Sequence, residues 1–130
     1  MATLFTKIIN GEIPCYKIAE NENFIAFLDI SPLAIGHTLV VPKIETDYIF
    51  NLDDENYTGL WAFAKQIAQA LDKAIPCKRV VVSVIGIEVP HTHIHLIPLN
   101  TIEDCNFSRP KLSFTAQKMN ETAEKIKAEL

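Results

Sequence analysis

Histidines recur at every second position between Pro90 and Pro98. Three of the four histidines of the chain, His91, His93 and His95, lie in this stretch. Side chains alternate between the two faces of a β-strand, so the spacing predicts a strand with these three rings on one face. At about 3.3 Å per residue, neighbouring histidines would lie roughly 7 Å apart and the outer two roughly 13 Å apart. Buried imidazoles need polar partners, and a row of three is rarely kept for stability alone.

Three interpretations of this row are open from the residues alone. Adjacent histidines can bind one metal ion, although the outer two are far apart and a fourth ligand must come from elsewhere. Alternatively, one neutral imidazole attacks a substrate while its neighbours supply hydrogen bonds and protons. The third interpretation is an exposed strand face with chance histidines. We favour the second, because histidine serves readily as nucleophile, acid and base.

Length and charge narrow the class of protein. The 130 residues are enough for one domain with a single core, which we place at residues 1–130. A formal net charge of −4 argues against a nucleic-acid polymer as partner, whereas a small nucleotide remains possible. No apolar run reaches the roughly 18 residues of a membrane span, and the first residues lack a signal-peptide pattern. Three scattered cysteines predict no disulfide framework, so we expect a cytoplasmic protein without membrane contact.

The pattern of apolar residues predicts an α+β fold with antiparallel strands. Residues 4–9 form a single helical turn. The predicted strands are residues 16–19, 24–29, 37–41, 79–85 and the histidine stretch. Residues 79–85 are mostly β-branched, which predicts a buried central strand, and a short link makes them an antiparallel hairpin with the histidine stretch.

Two helices are predicted after the first three strands. The long one begins at Asp53 or Asp54 and is ended by Pro76. Its core-facing stripe consists of Leu60, Ala64, Ile67, Ala68 and Leu71. Ser113 or Thr115 caps the last helix, which is expected to pack against the domain or a second subunit. Its stripe consists of Ala116, Met119, Ala123, Ile126 and Leu130.

The histidine stretch resembles the signature of the histidine triad (HIT) superfamily, three alternating histidines followed by two apolar residues. Residues 29–32 and 36–43 are similar to the family's upstream motif, an Asp-x-x-Pro, then a Gly-His pair and an apolar strand ending in Pro-Lys. Residues 5–14 also match in order and spacing. The resemblance covers residues 3–99, the motif-bearing core, and leaves residues 100–130 as a C-terminal extension with a helix. It implies a five-stranded antiparallel half-barrel sheet with one long helix and a C-terminal helix, usually in a two-fold dimer.

The resemblance also implies a role for each histidine. His93 attacks the α-phosphorus of a nucleotide ester, amide or anhydride and forms a nucleotidyl-histidine, which water hydrolyses. His91 and His95 hydrogen-bond the phosphate oxygens or the leaving group. His37 orients one of the triad rings, unless it is a structural histidine with satisfied hydrogen bonds.

Other positions match the nucleoside-binding part of the family's site. Asp29 matches the carboxylate that accepts hydrogen bonds from the ribose, although an Asx-turn before Ser31 would explain it too. The positions that match the apolar walls around the base are Phe5, Ile8, Phe27 and Ile30. Plain core packing is the alternative for each of these four.

The stretch before the triad departs from the family's pattern. Many members carry Gly-Gln there and an upstream asparagine, which hold phosphate oxygens. Here Ile87 follows Gly86, and Ser83 is the nearest candidate for the asparagine. Glu88 stands where a Ser or Thr is usual, and at roughly 4 Å its carboxylate would repel a phosphate by about 1 kcal/mol or more. Glu88 therefore either faces away or acts as a proton donor with a raised pKa.

Some bacterial members bind zinc through a Cys-x-x-Cys pair near the N-terminus and downstream histidines. Thr3 and Thr6 occupy the matching positions here, and Glu45 stands near the site of a further ligand. We therefore expect neither this structural zinc nor a cofactor.

These features predict a nucleotidyl hydrolase or transferase acting on nucleoside phosphoramidates, dinucleoside polyphosphates or similar small nucleotides. One alternative is a nucleotide-binding or adaptor protein with little turnover, because Ile87 and Glu88 alter the phosphate end of the site. Another is a metal protein built on His91, His93 and His37.

Surplus apolar surface predicts a homodimer. Residues 79–85 are apolar on both faces, and Trp61 adds bulk to the long helix. Two helices cover one face of a sheet but hardly both, so pairing about a two-fold axis would bury the rest. We expect the long helix and residues 79–85 at the interface.

Overall fold

The protein is built on one antiparallel sheet, and a computed structural model describes residues 2–130 of the chain. The strands are β1 (Lys17–Glu20), β2 (Phe24–Leu28), β3 (Thr38–Pro42), β4 (Arg79–Ser83) and β5 (Ile94–Leu99). They pair antiparallel in the order β1-β2-β3-β5-β4. The predicted five-stranded antiparallel α+β fold is confirmed.

The helices begin and end where short sequence signals place them. Those in the described part of the chain are α1 (Leu4–Ile9), α2 (Asp54–Ala74) and α3 (Ala116–Lys127), with 3-10 segments at Ile49–Asn51 and Ile102–Cys105. Side chains of Thr3, Asp53 and Thr115 accept a hydrogen bond from the backbone three residues later, which satisfies one free N–H of each first turn. The predicted start of α2 is confirmed, and Thr115 rather than Ser113 caps α3.

One face of the sheet packs against α2 and α3 and forms the main core. Ala26, Val40 and Leu96 lie on this face and are fully buried. The predicted α2 stripe is buried apart from Ala68, which is half-buried. In α3 the buried stripe residues are Met119, Ala123 and Ile126, whereas Ala116 and Leu130 are exposed. Each large apolar side chain buried here stabilises the fold by roughly 1.5–3 kcal/mol.

The opposite face carries the histidines. Ile25, Phe27, Leu39 and Val41 lie on it and pack against Phe5 of α1. Leu39 is paired directly with His95 across β3 and β5. Residues directly opposite in an antiparallel pair project to the same side, so His95 also lies on the face that α2 does not cover.

The strand predicted to be central and buried is an edge strand. β5 lies between β3 and β4, and the outer side of β4 has no neighbour among residues 2–130. Val82 is 45% exposed and Ile85, just after the strand, is 47% exposed. Val80 packs against the main core, whereas Val82, two residues along on the same face, is left largely uncovered. An apolar strand has the same sequence pattern whether a helix or a second molecule covers it.

The histidine stretch is only partly a strand, so the prediction of three histidines on one strand is wrong for the first two. β5 begins at Ile94. Before it, the His91 amide donates to the Val89 carbonyl at 2.8 Å and the Thr92 amide to the Thr46 carbonyl at 2.7 Å. The chain therefore turns at His91 and is held by the loop after β3.

No helix within residues 2–130 combines the length and apolarity needed to cross a bilayer. Cys15, Cys77 and Cys105 are free thiols.

Candidate active site

His37 and His95 form a hydrogen-bonded pair between β3 and β5. The Leu33 amide donates to Nδ1 of His37 at 3.0 Å, so we assign the proton of His37 to Nε2. That nitrogen lies 2.9 Å from Nδ1 of His95 and donates to it. The proton of His95 is therefore on Nε2, for which the described residues offer no acceptor. His37 is 1% exposed and His95 is 8% exposed, so the pair ends in a donor at the surface of the site.

Burial keeps both rings neutral. It lowers the pKa of His37 to about 3, and the neighbouring His95 adds to the effect. It also lowers the pKa of His95 to about 4, with a contribution from His93. Both values lie well below neutral pH, so the hydrogen-bond directions hold under ordinary conditions.

His93 presents an unprotonated nitrogen next to this pair. Its Nδ1 lies 2.8 Å from the carbonyl oxygen of His91. A carbonyl can only accept, so Nδ1 carries the proton and Nε2 carries the lone pair. Burial lowers the pKa of His93, which keeps that lone pair free at neutral pH. The His93 and His95 ring centroids are 4.9 Å apart, so the ring with a free lone pair lies beside the ring with a free N–H.

His91 is engaged entirely with the protein. It is 0% exposed, its Nε2 donates to the Pro42 carbonyl at 2.8 Å, and its Nδ1 lies 2.8 Å from the hydroxyl of Thr3. Because Nε2 carries the proton of the neutral ring, Nδ1 accepts from Thr3. Neither nitrogen is free for a phosphate, unlike the role expected from the resemblance. Here His91 acts through its carbonyl, which fixes the proton of His93.

A hydrogen-bond network joins α1 to this corner. Glu45 Oε1 accepts from the Thr6 hydroxyl at 2.6 Å and from the Thr3 amide at 3.1 Å. The positions that resemble zinc ligands therefore do converge, together with His91. Hydroxyl groups are not the thiolate or imidazole ligands that zinc prefers, so this donor set does not fit a structural zinc. Hydrogen bonds fasten the corner instead, and they hold Phe5 edge-on to His93 with centroids 4.9 Å apart.

Asp29 serves a turn and faces the site. Its Oδ1 accepts from the Ser31 amide at 2.9 Å, which is the Asx-turn considered as an alternative. Its Oδ2 lies 3.6 Å from Nε2 of His37. His37 is neutral, so this contact is not a salt bridge between two charges. Burial raises the pKa of Asp29, and the hydrogen bond from Ser31 opposes that rise.

The expected apolar wall is largely assembled. Phe5 and Phe27 are buried with ring centroids 5.7 Å apart, and Ile8 packs against the same cluster. Ile30 does not join them. It directly follows Asp29 in the chain and is 73% exposed, so a ligand can reach it.

Residues just before the triad also lie near His93 and His95. Ser83 ends β4 directly opposite His95 and is half-buried. Ile87 is 83% exposed, and Glu88 is exposed beside it. Although burial dominates at His93, the charge of Glu88 acts to raise the pKa of that ring, so the carboxylate acts on the site.

Phe107 and Lys111 also lie at the site, although no periodic pattern of residues pointed to them. The Phe107 ring is edge-on to His95 with centroids 4.9 Å apart and 6.3 Å from His37. Lys111 Nζ lies 5.3 Å from the Phe107 ring centroid. An aromatic and a basic residue in an otherwise polar irregular stretch were the available clue.

The side chains that come together as possible metal ligands differ from the set considered at first. Ligand atoms of Asp29, His37 and His95 lie within 4.8 Å of one another. His91 is excluded because both its nitrogens are engaged. A metal bound to these three residues would displace the proton on Nε2 of His37, which His95 accepts. His37 has no other nitrogen for the metal, because its Nδ1 accepts from the Leu33 amide. The geometry favours a hydrogen-bonded pair over a metal centre.

Comparison with known proteins agrees with the histidine motif. The sequence profile of the HIT domain family matches residues 10–102. An uncharacterized HIT-like protein of Borreliella burgdorferi is 37% identical over 131 residues, covering 95% of this chain and 94% of that protein. An adenosine 5'-monophosphoramidase of Saccharomyces cerevisiae is 38% identical over 100 residues, covering 75% of this chain and 62% of that protein. The crystal structure of a Hit-like protein of Bartonella henselae has a TM-score of 0.86 at 31% identity, covering 98% of this chain and 96% of that one.

Proposed function

Because the chain belongs to the HIT domain family, we propose that it is a nucleotidyl hydrolase or transferase with His93 as nucleophile. The substrates would be nucleoside phosphoramidates, dinucleoside polyphosphates or similar small nucleotides. The observation that carries the proposal is the free Nε2 lone pair of His93, fixed by the 2.8 Å hydrogen bond from Nδ1 to the His91 carbonyl. The adenosine 5'-monophosphoramidase named above, 38% identical over 100 residues, supports the substrate class.

The first step forms a covalent intermediate. Nε2 of His93 bonds to the α-phosphorus, and the bond from phosphorus to the leaving group breaks with its electron pair. A phosphate leaving group departs as an anion, whereas an amine takes one proton from water. The imidazole that carries the nucleotide becomes positive, and its Nδ1–H strengthens its hydrogen bond to the His91 carbonyl. In the second step water attacks phosphorus, the lone pair returns to Nε2, and the proton of that water is released.

His95 acts in this scheme as a fixed hydrogen-bond donor to a phosphate oxygen or to the leaving atom. A further proton on the His37–His95 pair would set two N–H groups against each other, either at His95 Nδ1 or at the Leu33 amide. The pair therefore stabilises charge that develops on the substrate and is not a source of protons.

Asp29, Ile30 and the cluster of Phe5, Ile8 and Phe27 would hold the nucleoside. Asp29 keeps Oδ2 free of backbone hydrogen bonds and available to ribose hydroxyls. Ser83 would contact the phosphate beside His95, because the two residues are directly opposite.

Release of AMP from adenosine 5'-phosphoramidate tests the proposal. Wild-type protein should release it, and His93→Ala should abolish release while circular dichroism stays unchanged. If wild type and His93→Ala were equally inactive across a panel of nucleotides, the protein would not be such an enzyme.

The alternative is a nucleotide-binding protein with little turnover. It is favoured by Ile87 and Glu88, since an exposed isoleucine and a carboxylate stand at the phosphate side of His93. Calorimetry distinguishes the two: micromolar binding of AMP by a protein that does not hydrolyse the phosphoramidate favours the binder.

We also propose that the protein is a homodimer and works in the cytoplasm. The uncovered side of β4 supports the dimer, together with a cleft of about 520 Å³ lined by Tyr48, Phe50, Trp61 and Ile85 among others. The indole nitrogen of Trp61 is buried there and has no hydrogen-bond partner among residues 2–130. A second copy of the chain would cover both features. Three free thiols support a reducing compartment.

A further inference from the structure

The segment over residues 106–112 crosses the site beside the histidine pair. The Phe107 ring lies edge-on to His95 with centroids 4.9 Å apart. The Leu112 amide donates to the Pro32 carbonyl at 2.8 Å, which ties the segment to the loop that follows Asp29. The segment therefore contacts both the histidine pair and the loop that follows Asp29.

Local hydrogen bonds fix the path of this segment. Ile102–Cys105 is a 3-10 turn with a capping box between Thr101 and Asp104. Asn106 Oδ1 then accepts from the Ser108 amide at 2.9 Å. Arg109 Nη1 donates to the Glu103 carbonyl at 2.6 Å. These contacts lie on both sides of Phe107 in the chain, so they fix the position of this residue.

Lys111 sits over the same ring. Its Nζ donates to the Phe107 carbonyl at 2.8 Å and lies 5.3 Å from the ring centroid. The residue is exposed, so its ammonium can exchange this neutral acceptor for a stronger one. Burial sets the main pKa shifts of Asp29, His37 and His95, but the charge of Lys111 acts to lower all three pKa values. The positive charge of Lys111 therefore acts on three side chains of the candidate site.

A nucleotide phosphate would otherwise meet little positive charge. Burial lowers the pKa of all four histidines, so they are neutral at neutral pH. The other formal charge that acts on His93 and Asp29 is the carboxylate of Glu88, which repels an anion. Lys111 is the cation whose charge acts on Asp29, His37 and His95 together within the described residues.

We propose that Lys111 is the phosphate-binding cation of this site and that Phe107 holds it above His95. With a nucleotide bound, Nζ leaves the Phe107 carbonyl for a phosphate oxygen, because an ammonium binds a charged acceptor more strongly than a carbonyl. Lys111 thereby makes the site selective for nucleotides over nucleosides and offsets the repulsion from Glu88. This inference rests on the nucleotide chemistry proposed above.

Binding of AMP and of adenosine by calorimetry tests it, because the two probes differ in the phosphate alone. Wild-type protein should bind AMP more tightly than adenosine. Lys111→Met keeps the length of the side chain without its charge, and should weaken AMP binding roughly tenfold, the effect expected for one charge-assisted hydrogen bond. Adenosine binding should not change. Lys111→Arg should keep most of the AMP affinity, and Lys125→Met, an exposed lysine of α3, is the matched control.

The outcomes separate this inference from the proposed function. If wild type binds AMP and Lys111→Met binds it equally well, the role of Lys111 is overturned while nucleotide binding stands. If AMP and adenosine affinities fall together in Lys111→Met, the residue shapes the pocket and is not a phosphate ligand. If wild-type protein binds neither probe, the proposed function fails and this inference fails with it.

Discussion

The Nε2 atom of His37 donates a hydrogen bond to Nδ1 of His95 across 2.9 Å, and this contact sets the proton of the second ring. The two residues are 58 positions apart in the chain, His37 just before β3 and His95 on the neighbouring strand β5. The outward Nε2–H of His95 is thus a consequence of a ring that is itself only 1% exposed.

Removing the imidazole of His37 should therefore impair catalysis more than binding. We expect His37→Ala to lower kcat by roughly 10- to 100-fold, the usual effect of losing a partner that orients a functional ring. His37→Gln should recover part of the loss, because its amide can still donate to His95. Steady-state kinetics on adenosine 5'-phosphoramidate give the comparison. Equal kcat values for the alanine and glutamine variants would count against an orienting role.

Stability should fall as the pH is lowered from 7 to 5. The folded pKa values of His37 and His95 are about 3 and about 4, below the 6.5 of a free imidazole. Below pH 6.5 the unfolded chain takes up protons that the folded state does not, which favours unfolding by up to about 1.4 kcal/mol per pH unit for each group. The loss continues until the pH reaches the folded pKa and is absent above about pH 7.

Urea unfolding at pH 7 and pH 5 measures this effect. His37→Gln removes one titrating group, so the difference between the two pH values should be smaller in that variant. The explanation is wrong if wild type and variant lose the same free energy of unfolding.

Thr3 should stabilise the corner around His91. Thr3→Val removes the hydroxyl that donates to Nδ1 of His91 and that caps α1. A buried ring nitrogen would lose its partner, and we expect a loss of about 1–3 kcal/mol in the free energy of unfolding. Thr58→Val, at an exposed position of α2, is the matched control and should change little. Similar losses for both variants would show that the Thr3 hydroxyl contributes nothing specific to the corner.

The uncovered side of β4 should be a dimer interface. Light scattering of wild-type protein at micromolar concentration should give twice the 14.6 kDa of one chain. Val82→Lys places a charge on an exposed apolar side chain of β4 and should shift the mass toward one chain. Ile102→Lys, at a position that is 77% exposed elsewhere on the surface, should leave the mass unchanged. A monomeric mass for wild type would contradict the proposal.

Local signals in the sequence were enough for much of the fold. Asp53 and Pro76 bounded α2, and the apolar spacing identified the helix face that is buried. The position of β4 at the edge was not accessible in the same way, because an apolar strand does not reveal what covers it.

The site residues that belong to a motif were predictable from the sequence. Roles that depend on contacts between residues far apart in the chain were not. His93 and His37 could be singled out from their motifs. His91 also binds Thr3, 88 residues away, and the ring of His95 also contacts Phe107 in an irregular stretch. Neither contact follows from a periodic pattern of residues, so the resemblance identifies each histidine but not its partners.

The hydrogen bond from the Leu33 amide to His37 has an evolutionary consequence. The group that fixes the proton is part of the main chain, so every residue except proline supplies it at position 33. Leu33 is 1% exposed, so packing limits which side chains fit at this position. A substitution that still packs would leave the hydrogen bond to His37 unchanged. The arrangement of protons is thus inherited through the path of the loop, and selection on it acts through backbone shape rather than through the identity of residue 33.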